Sequence, residues 1–257
     1  MPERTLVIGD VHGCVDELRA LLARCSFDGT CDRLVLLGDL LDRGPDPVAC
    51  VQLARELGAE SVMGNHEETH LRFRKHRSEQ ARRPGYTNPM RSFEPERMRQ
   101  HEALSDDDWR WIEALPTVLH LADDFVAVHA GLLPGRPLAE QPQRSLVRLR
   151  YLDADGDMLS LAQQELSKSP PRFWTDSYDG ALSVAHGHAV LSLGEPVRTL
   201  RPQGVEVFGL DTGCVFGGRL TALVLYDGRP GVRDIVQVDA ARRYAPLRFP
   251  VGELGWR

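Results

Sequence analysis

Five short clusters carry residues able to do polar chemistry. They are Gly9-Asp10-Val11-His12-Gly13, Gly38-Asp39-Leu40-Leu41-Asp42-Arg43-Gly44, Gly64-Asn65-His66-Glu67, His129-Ala130-Gly131 and Gly187-His188. Carboxylates, imidazoles and one amide, with no thiolate among them, are ligands for divalent metals such as Mn²⁺, Fe²⁺, Co²⁺, Ni²⁺ or Zn²⁺. Six such groups are too many for one catalytic ion that must keep an open position. They suit two ions sharing a bridging carboxylate, a pair that polarises a phosphoryl oxygen and makes a hydroxide from a bridging water at neutral pH. In-line attack on phosphorus also needs a cation for the phosphoryl oxygens and an acid for the leaving oxygen. Arg43 and His66 are of the right types.

The flanking sequence explains how the clusters meet. Thr5 to Ile8 is a short apolar run that reads as a buried strand. Val15, Leu18, Leu21, Leu22 and Cys25 follow at helical spacing. The pattern repeats with a strand at Leu34 to Leu37, a loop at Gly38 to Gly44 and a helix from Pro47 to Leu57 behind Asp46. Ser61 to Met63 is a third strand, and a helix follows Glu67. This alternation implies βαβ units and a parallel sheet. In such sheets ligands bind outside the carboxyl ends of the strands, so the clusters converge.

Farther along, Arg77 to Ser105 lacks a clean period and reads as an insertion. Ser105 to Asp108 forms a capping box before a helix with Trp109, Trp111, Ile112 and Leu115. Phe125 to Val128 is a strand, and Pro134 to Pro171 is irregular with one or two short helices. The last third is β-rich, with strands at Leu182 to Ala185, Val205 to Leu210, Leu220 to Tyr226 and Val232 to Val238. Asp211-Thr212-Gly213 and Asp227-Gly228 are turn signals.

Composition bounds the rest. The chain has 257 residues, 42% hydrophobic and 26% charged, which is ordinary globular usage and excludes a disordered, collagenous or membrane-embedded protein. No apolar run reaches the ~18 residues of a membrane span. Met1-Pro2-Glu3-Arg4 runs into a strand without an apolar leader, so a cytoplasmic location is expected. Five cysteines without a C-x-x-C read as reduced thiols. The net charge is −6, yet His70 to Gln100 holds nine basic and three acidic residues. A local cationic stretch in an acidic chain marks a surface that receives an anion, or else a solvated helix face.

The five clusters resemble those of the calcineurin-like metallophosphoesterases, in the phosphoprotein-phosphatase branch, over a span from Thr5 to about Tyr226. The resemblance implies an α/β (α+β) fold in which a two-sheet sandwich is flanked by helices in four αββα layers. The irregular, Arg-rich stretch itself reads as a basic cap inserted at about 70–120 in one domain over 1–257. The resemblance also implies two metals, most often manganese: Asp10, His12 and Asp39 for the first, with Asp39 bridging to Asn65, His129 and His188. His66 would protonate the leaving oxygen, Asp42 would orient its ring, and Arg43 would grip phosphate. Leu210 to Leu223 is similar to the bacterial symmetrical diadenosine tetraphosphatases, the bacterial and phage protein phosphatases, and the phosphatase module of RNA-repair enzymes. Val147-Arg148-Leu149-Arg150 is similar to a tetraphosphatase segment, which implies a second phosphate clamp from Arg148, or else Arg150. His186 stands where relatives carry an aromatic residue and takes no ligand role.

The expected reaction is hydrolysis of a dinucleoside tetraphosphate to two nucleoside diphosphates by a metal-bridging hydroxide, with Arg72 and Lys75 of the cationic stretch holding the polyphosphate. Tyr86, Phe93, Phe173, Trp174 and Tyr178 are either partners for adenine or core. A protein Ser/Thr (or Tyr) phosphatase is the alternative, since its phosphoprotein substrate needs the same attack. A non-catalytic RNA-binding module would lose metal ligands, and this chain keeps all six. No stable nucleic-acid partner and no membrane are expected. The sequence leaves the oligomeric state open.

Overall fold

A computed structural model describes residues 3–160, 163, 171–229 and 231–247. Met1, Pro2 and the 164–170 part of the irregular stretch lie outside the described residues. Strands β1 (Arg4–Ile8), β2 (Asp32–Leu36) and β3 (Glu60–Ser61) pair in parallel, as the βαβ alternation predicts. The third strand is shorter than expected. Val62 N still bonds Leu36 O of β2 just past the strand, and Met63 N turns away to Pro116 O. Helices α1 (Val15–Arg24) and α2 (Pro47–Glu56) make the crossovers. Val15, Leu18, Leu21 and Leu22 are the buried stripe of α1. Asp46 caps α2 by accepting from Ala49 N at 2.9 Å, and Pro47 fills a first-turn position with no N–H to satisfy.

Three further helices follow: α3 (Asn65–Arg82), α4 (Pro95–Ala103) and α5 (Asp106–Glu113). The capping box before α5 is present, with Ser105 N donating to Asp108 Oδ2 at 2.8 Å and Asp108 N to Ser105 Oγ at 3.2 Å. Trp109 and Ile112 of α5 are buried with α1 and α2 in one core cluster, so α5 belongs to the body rather than to the cap. Helix α3 runs beyond the expected boundary at Arg77. It buries only Glu67, His70 and Phe73, a stripe too narrow to register as an apolar period.

The remaining strands are β4 (Val118–Ala122), β5 (Phe125–Val128), β6 (Tyr151–Leu152), β7 (Arg172–Phe173), β8 (Ser183–His186), β9 (Val197–Leu200), β10 (Glu206–Gly209), β11 (Arg219–Tyr226) and β12 (Arg233–Asp239). A short helix α6 (Gln143–Arg148) precedes β6. One sheet has the order β12-β11-β1-β2-β3 and the other β4-β5-β8-β10-β9; β6 and β7 form a separate pair. Each main sheet is mixed, with three parallel strands and antiparallel neighbours outside them. The edge strands β4 and β9 were not anticipated. Both are only partly buried: β9 mixes apolar and polar residues, and His120 interrupts the apolar residues of β4.

Between the two sheets lies a core of Val7, Val35, Leu37, Val62, Phe125, Ala127, Ala185, Phe208, Leu210 and Leu223. The outer face of the first sheet is covered by α1, α2 and α5. That of the second is covered by α6 and the segment around Trp174. The layers therefore run helix, sheet, sheet, helix. The carboxyl ends of β1, β2, β5, β8 and β10 all lead into the loops described next. Among the described residues no helix is long and apolar enough to cross a membrane, and all five cysteines are free.

Candidate metal centre and its surroundings

Asp39 stands at the middle of the converging loops. Its Oδ2 lies 3.5 Å from His12 Nε2 and its Oδ1 lies 3.5 Å from His129 Nε2. The same Oδ1 accepts from the backbone of His66 at 3.0 Å. His12, Asp39 and His66 form one group of convergent donors, and Asp39, His129 and His188 form another. Asp39 is common to both. Asn65 Oδ1 is 3.1 Å from His129 Nε2, and His188 Nδ1 is 3.2 Å from the same nitrogen. Asp10 completes the ring, with both carboxylate oxygens 3.1 Å from His188 N and one of them 4.0 Å from His12 Nε2.

Backbone carbonyls orient the imidazoles. His12 Nδ1 bonds Leu41 O at 2.8 Å, and His129 Nδ1 bonds Leu37 O at 2.7 Å. Each Nδ1 carries the proton, which leaves the Nε2 lone pair free to ligate. Glu67 holds the second loop from behind, accepting from the amides of Asp39, Leu40 and Leu41 at 2.8–3.0 Å. Gly64 is required for this approach, because a Cβ there would come within 2.3 Å of Asp39 N. Gly187 is required too, since its Cβ would come within 2.0 Å of Asp10 Oδ1. Of the six non-glycine residues with positive φ among those described, five are here: His12, Asp39, Asp42, Arg43 and His188. Such backbone strain persists where the surroundings over-determine it, and it clusters at functional sites.

The electrostatics are those of a cation site. Burial lowers the pKa of His12, His129 and His188, so the rings are neutral and their lone pairs are available. Burial and the neighbouring Asp211 and Asp39 push Asp10 well up. Burial raises Asp211 to about 6. Burial acts upward on Asp39 as well, but the attraction of His129, His66 and His12 in their charged form, together with the Arg43 guanidinium, holds it well below the usual carboxylate range. Repelling buried carboxylates and neutral imidazoles fit divalent cations. One buried atom makes the same point, because His188 Nε2 has no hydrogen-bond partner.

Around this set are the other expected residues. Asp42 Oδ2 accepts from His66 Nδ1 at 2.5 Å and Arg97 Nη2 at 2.6 Å, and Asp42 Oδ1 accepts from His70 Nε2 at 2.9 Å. Burial would raise Asp42, but the bonds from His66 and His70 hold it well below the ordinary range. Arg43 contacts His12 Nε2 and lies 5.4 Å from the Phe216 ring. Arg148 turns toward α3, bonding Glu68, Thr69 Oγ1 and Asn65 O. Arg150 instead donates to His188 O at 2.9 Å. Its pKa is lowered by burial and by neighbouring Arg43, and raised by Asp39, Asp211 and Asp10.

Arg72 pairs with Glu68, and Lys75 is exposed on α3. The cationic stretch is largely neutralised within the fold. Arg74 pairs with Glu113, Arg77 with Glu102, Arg82 and Arg83 with Glu79, and Arg99 with Glu96. Phe173, Trp174 and Tyr178 are core residues. Tyr86 bonds His76, and Phe93 stacks on Phe73 at 3.9 Å. His186 is buried against Trp174, with Nδ1 3.0 Å from Gly187 O.

Sequence reasoning missed Asp211, His70 and Arg97. Asp211 follows the end of β10 as Asp10 follows β1, and that parallel was its signal. Arg97 comes from α4 and reaches Asp42 only through tertiary packing, so nothing local marks it.

The sequence profile of the calcineurin-like phosphoesterases matches residues 3–229. A symmetrical bis(5'-nucleosyl)-tetraphosphatase of Aromatoleum aromaticum is 34% identical, covering 92% of this chain and 97% of its own. An asymmetrical bis(5'-nucleosyl)-tetraphosphatase of Oceanobacillus iheyensis is 30% identical over 84% of this chain and 86% of its own. A crystal structure described as a candidate diadenosine tetraphosphatase superposes with a TM-score of 0.73 and 27% identity, covering 93% of this chain and 96% of that one.

Proposed function

This chain belongs to the calcineurin-like phosphoesterases and is a metal-dependent phosphohydrolase, and we propose that it cleaves a dinucleoside tetraphosphate symmetrically into two nucleoside diphosphates. Similarity along nearly the whole length of a symmetrical tetraphosphatase carries this reading. Asp10, His12 and Asp39 would hold one divalent ion, and Asp39, Asn65, His129 and His188 the second; manganese suits this oxygen and nitrogen set. Such ions supply Lewis-acid polarisation of the phosphoryl group and a lowered pKa for water. The cap and body form one domain.

Every other role falls to side chains. His66 Nδ1 is fixed on Asp42, so Nε2 is the atom that turns toward Asp39, at 3.8 Å, and exchanges the proton. Hydrolysis forms a bond from water oxygen to phosphorus and breaks the bridging P–O bond. The departing oxygen keeps the electron pair and takes its proton from His66. Arg43 and Arg150 are the phosphate clamps, each able to give two parallel hydrogen bonds. Arg150 is favoured over Arg148, whose guanidinium is engaged by Glu68, Thr69 and Asn65.

The test compares kcat/KM with manganese on diadenosine tetraphosphate and on a phosphoserine/phosphothreonine peptide, with the nucleotide products identified. ADP alone, and preference for the dinucleotide, is the expected result. ATP with AMP would move the attacked phosphorus, and preference for the peptide would make this a protein phosphatase.

A further inference from the structure

Asp42 accepts more hydrogen bonds than the orientation of one ring requires. His66 Nδ1 reaches its Oδ2 at 2.5 Å, Arg97 Nη2 reaches the same oxygen at 2.6 Å, and His70 Nε2 reaches Oδ1 at 2.9 Å. His66 and His70 stand one turn apart on α3. Arg97 comes from α4, and so does His101 one turn farther on, whose Nδ1 lies 3.2 Å from His70 Nδ1. The group is enclosed. His70 is fully buried and His101 is 6% exposed. Phe93 packs 4.8 Å from the His70 ring and carries the Arg97 guanidinium 4.2 Å over its face.

The bonds have a direction. Burial lowers the pKa of His70 and brings His101 down to about 4, so both rings are neutral and each has one N–H. His70 carries its proton on Nε2, because a lone pair there would face the Asp42 carboxylate; Arg97 Nε approaches that nitrogen only to 3.3 Å. His70 Nδ1 is then an acceptor, and His101 Nδ1 donates to it. Helix α4 therefore reaches one oxygen of Asp42 through His70 and the other directly through Arg97. A carboxylate held by one bond can turn about its Cβ–Cγ axis and take the bonded ring with it. Held at both oxygens by packed side chains, it stays in place, and so does His66.

We propose that His70 and Arg97 are positioning residues for the proton transfer, fixing Asp42 so that His66 Nε2 is aimed at the departing oxygen. The assignment rests on the reading of His66 as the proton donor. Each residue acts through Asp42, and α4 becomes part of the machinery that delivers the proton.

The test measures kcat and KM of the manganese-loaded enzyme on phenyl phosphate and on p-nitrophenyl phosphate, whose leaving oxygens differ in their need for a proton. In Arg97→Met the ratio of kcat on phenyl phosphate to kcat on p-nitrophenyl phosphate should fall about tenfold, with KM and metal content held. His70→Leu should lower the same ratio. Arg97→Lys and His70→Gln keep a donor and should recover most of it. A purely structural support would lower both rates together. The Arg97 side chain is 30% exposed, so its loss leaves the core intact. An unchanged ratio in Arg97→Met, where His66→Asn does lower it, overturns the positioning role and leaves His66 as the donor. If His66→Asn itself lowers both rates alike, His66 is not the donor, and the proposal falls with that reading.

Discussion

The loops beyond the strands and the helical cap hold their charges in opposite ways. In the loops, Asp10, His12, Asp39, His129 and His188 are each at most 7% exposed, and backbone groups bond or aim nearly every one. In the cap, Arg77 with Glu102 and Arg99 with Glu96 are half exposed or more, and they meet in water. Buried polar groups without partners are costly, so the loops are over-determined. Exposed ion pairs are worth little singly, so the cap is free to vary. The residues able to do chemistry are thereby fixed in one region, while the other tolerates change.

The most damaging change to that contrast is Asp39→Asn. It touches both metal groups at once, and kcat should fall at least about a thousandfold, with metal content falling too. A near-normal rate with both metals retained would remove Asp39 from the bridge. Next comes His66→Asn. For a poor leaving group kcat should drop by roughly 10²–10⁴, and for p-nitrophenolate far less. A uniform loss across leaving groups would deny His66 the proton.

The third effect is on stability and concerns the joint between the regions. Burial, His70 and Arg77 depress His101 to about 4. Unfolded histidine titrates near ~6.5. Between those values the unfolded chain binds a proton that the folded chain refuses, so stability is complete above pH ~6.5 and falls as pH drops toward 4. The loss is at most about 3 kcal/mol. Urea unfolding at pH 7.5 and 5 measures it, and His101→Phe should flatten the difference; equal acid sensitivity in both would assign it elsewhere. Smallest is Arg77→Gln, expected to change stability by less than about 0.5 kcal/mol. A Tm fall of several degrees would mean that the cap is as over-determined as the loops.

The same contrast explains what was legible in the sequence. Gly-Asp-x-His-Gly and its partners are local: the glycines permit close approach and left-handed turns, and the ligands stand beside them. The helices α1, α2 and α5 were readable because caps and apolar stripes coincide. Helix α4 and the end of α3 were not, because neither has an apolar stripe: α4 buries only Gln100 and His101, and α3 buries nothing beyond Phe73. Arg148 and Arg150 stand two apart in similar company, and only packing turns one to Glu68 and the other to His188. Asp211 looked like a turn residue because Asp-Thr-Gly is a turn; its burial beside Asp10 comes from the pairing of distant strands.

That pairing closes the site from two distant parts of the chain. β1 lies in parallel beside β2, with Ile8 opposite Leu36. Its other neighbour is β11, where Ile8 pairs with Ala222 and Gly9 N–H reaches Thr221 O at 3.1 Å. The amide that holds Asp10 belongs to His188. Chains emerge from the amino end first, whereas the contacts of the first loop come from as far along as residues 188 and 222. A chain cut before residue 188 carries four of the five clusters and lacks the amide that Asp10 accepts from and the imidazole beside His129.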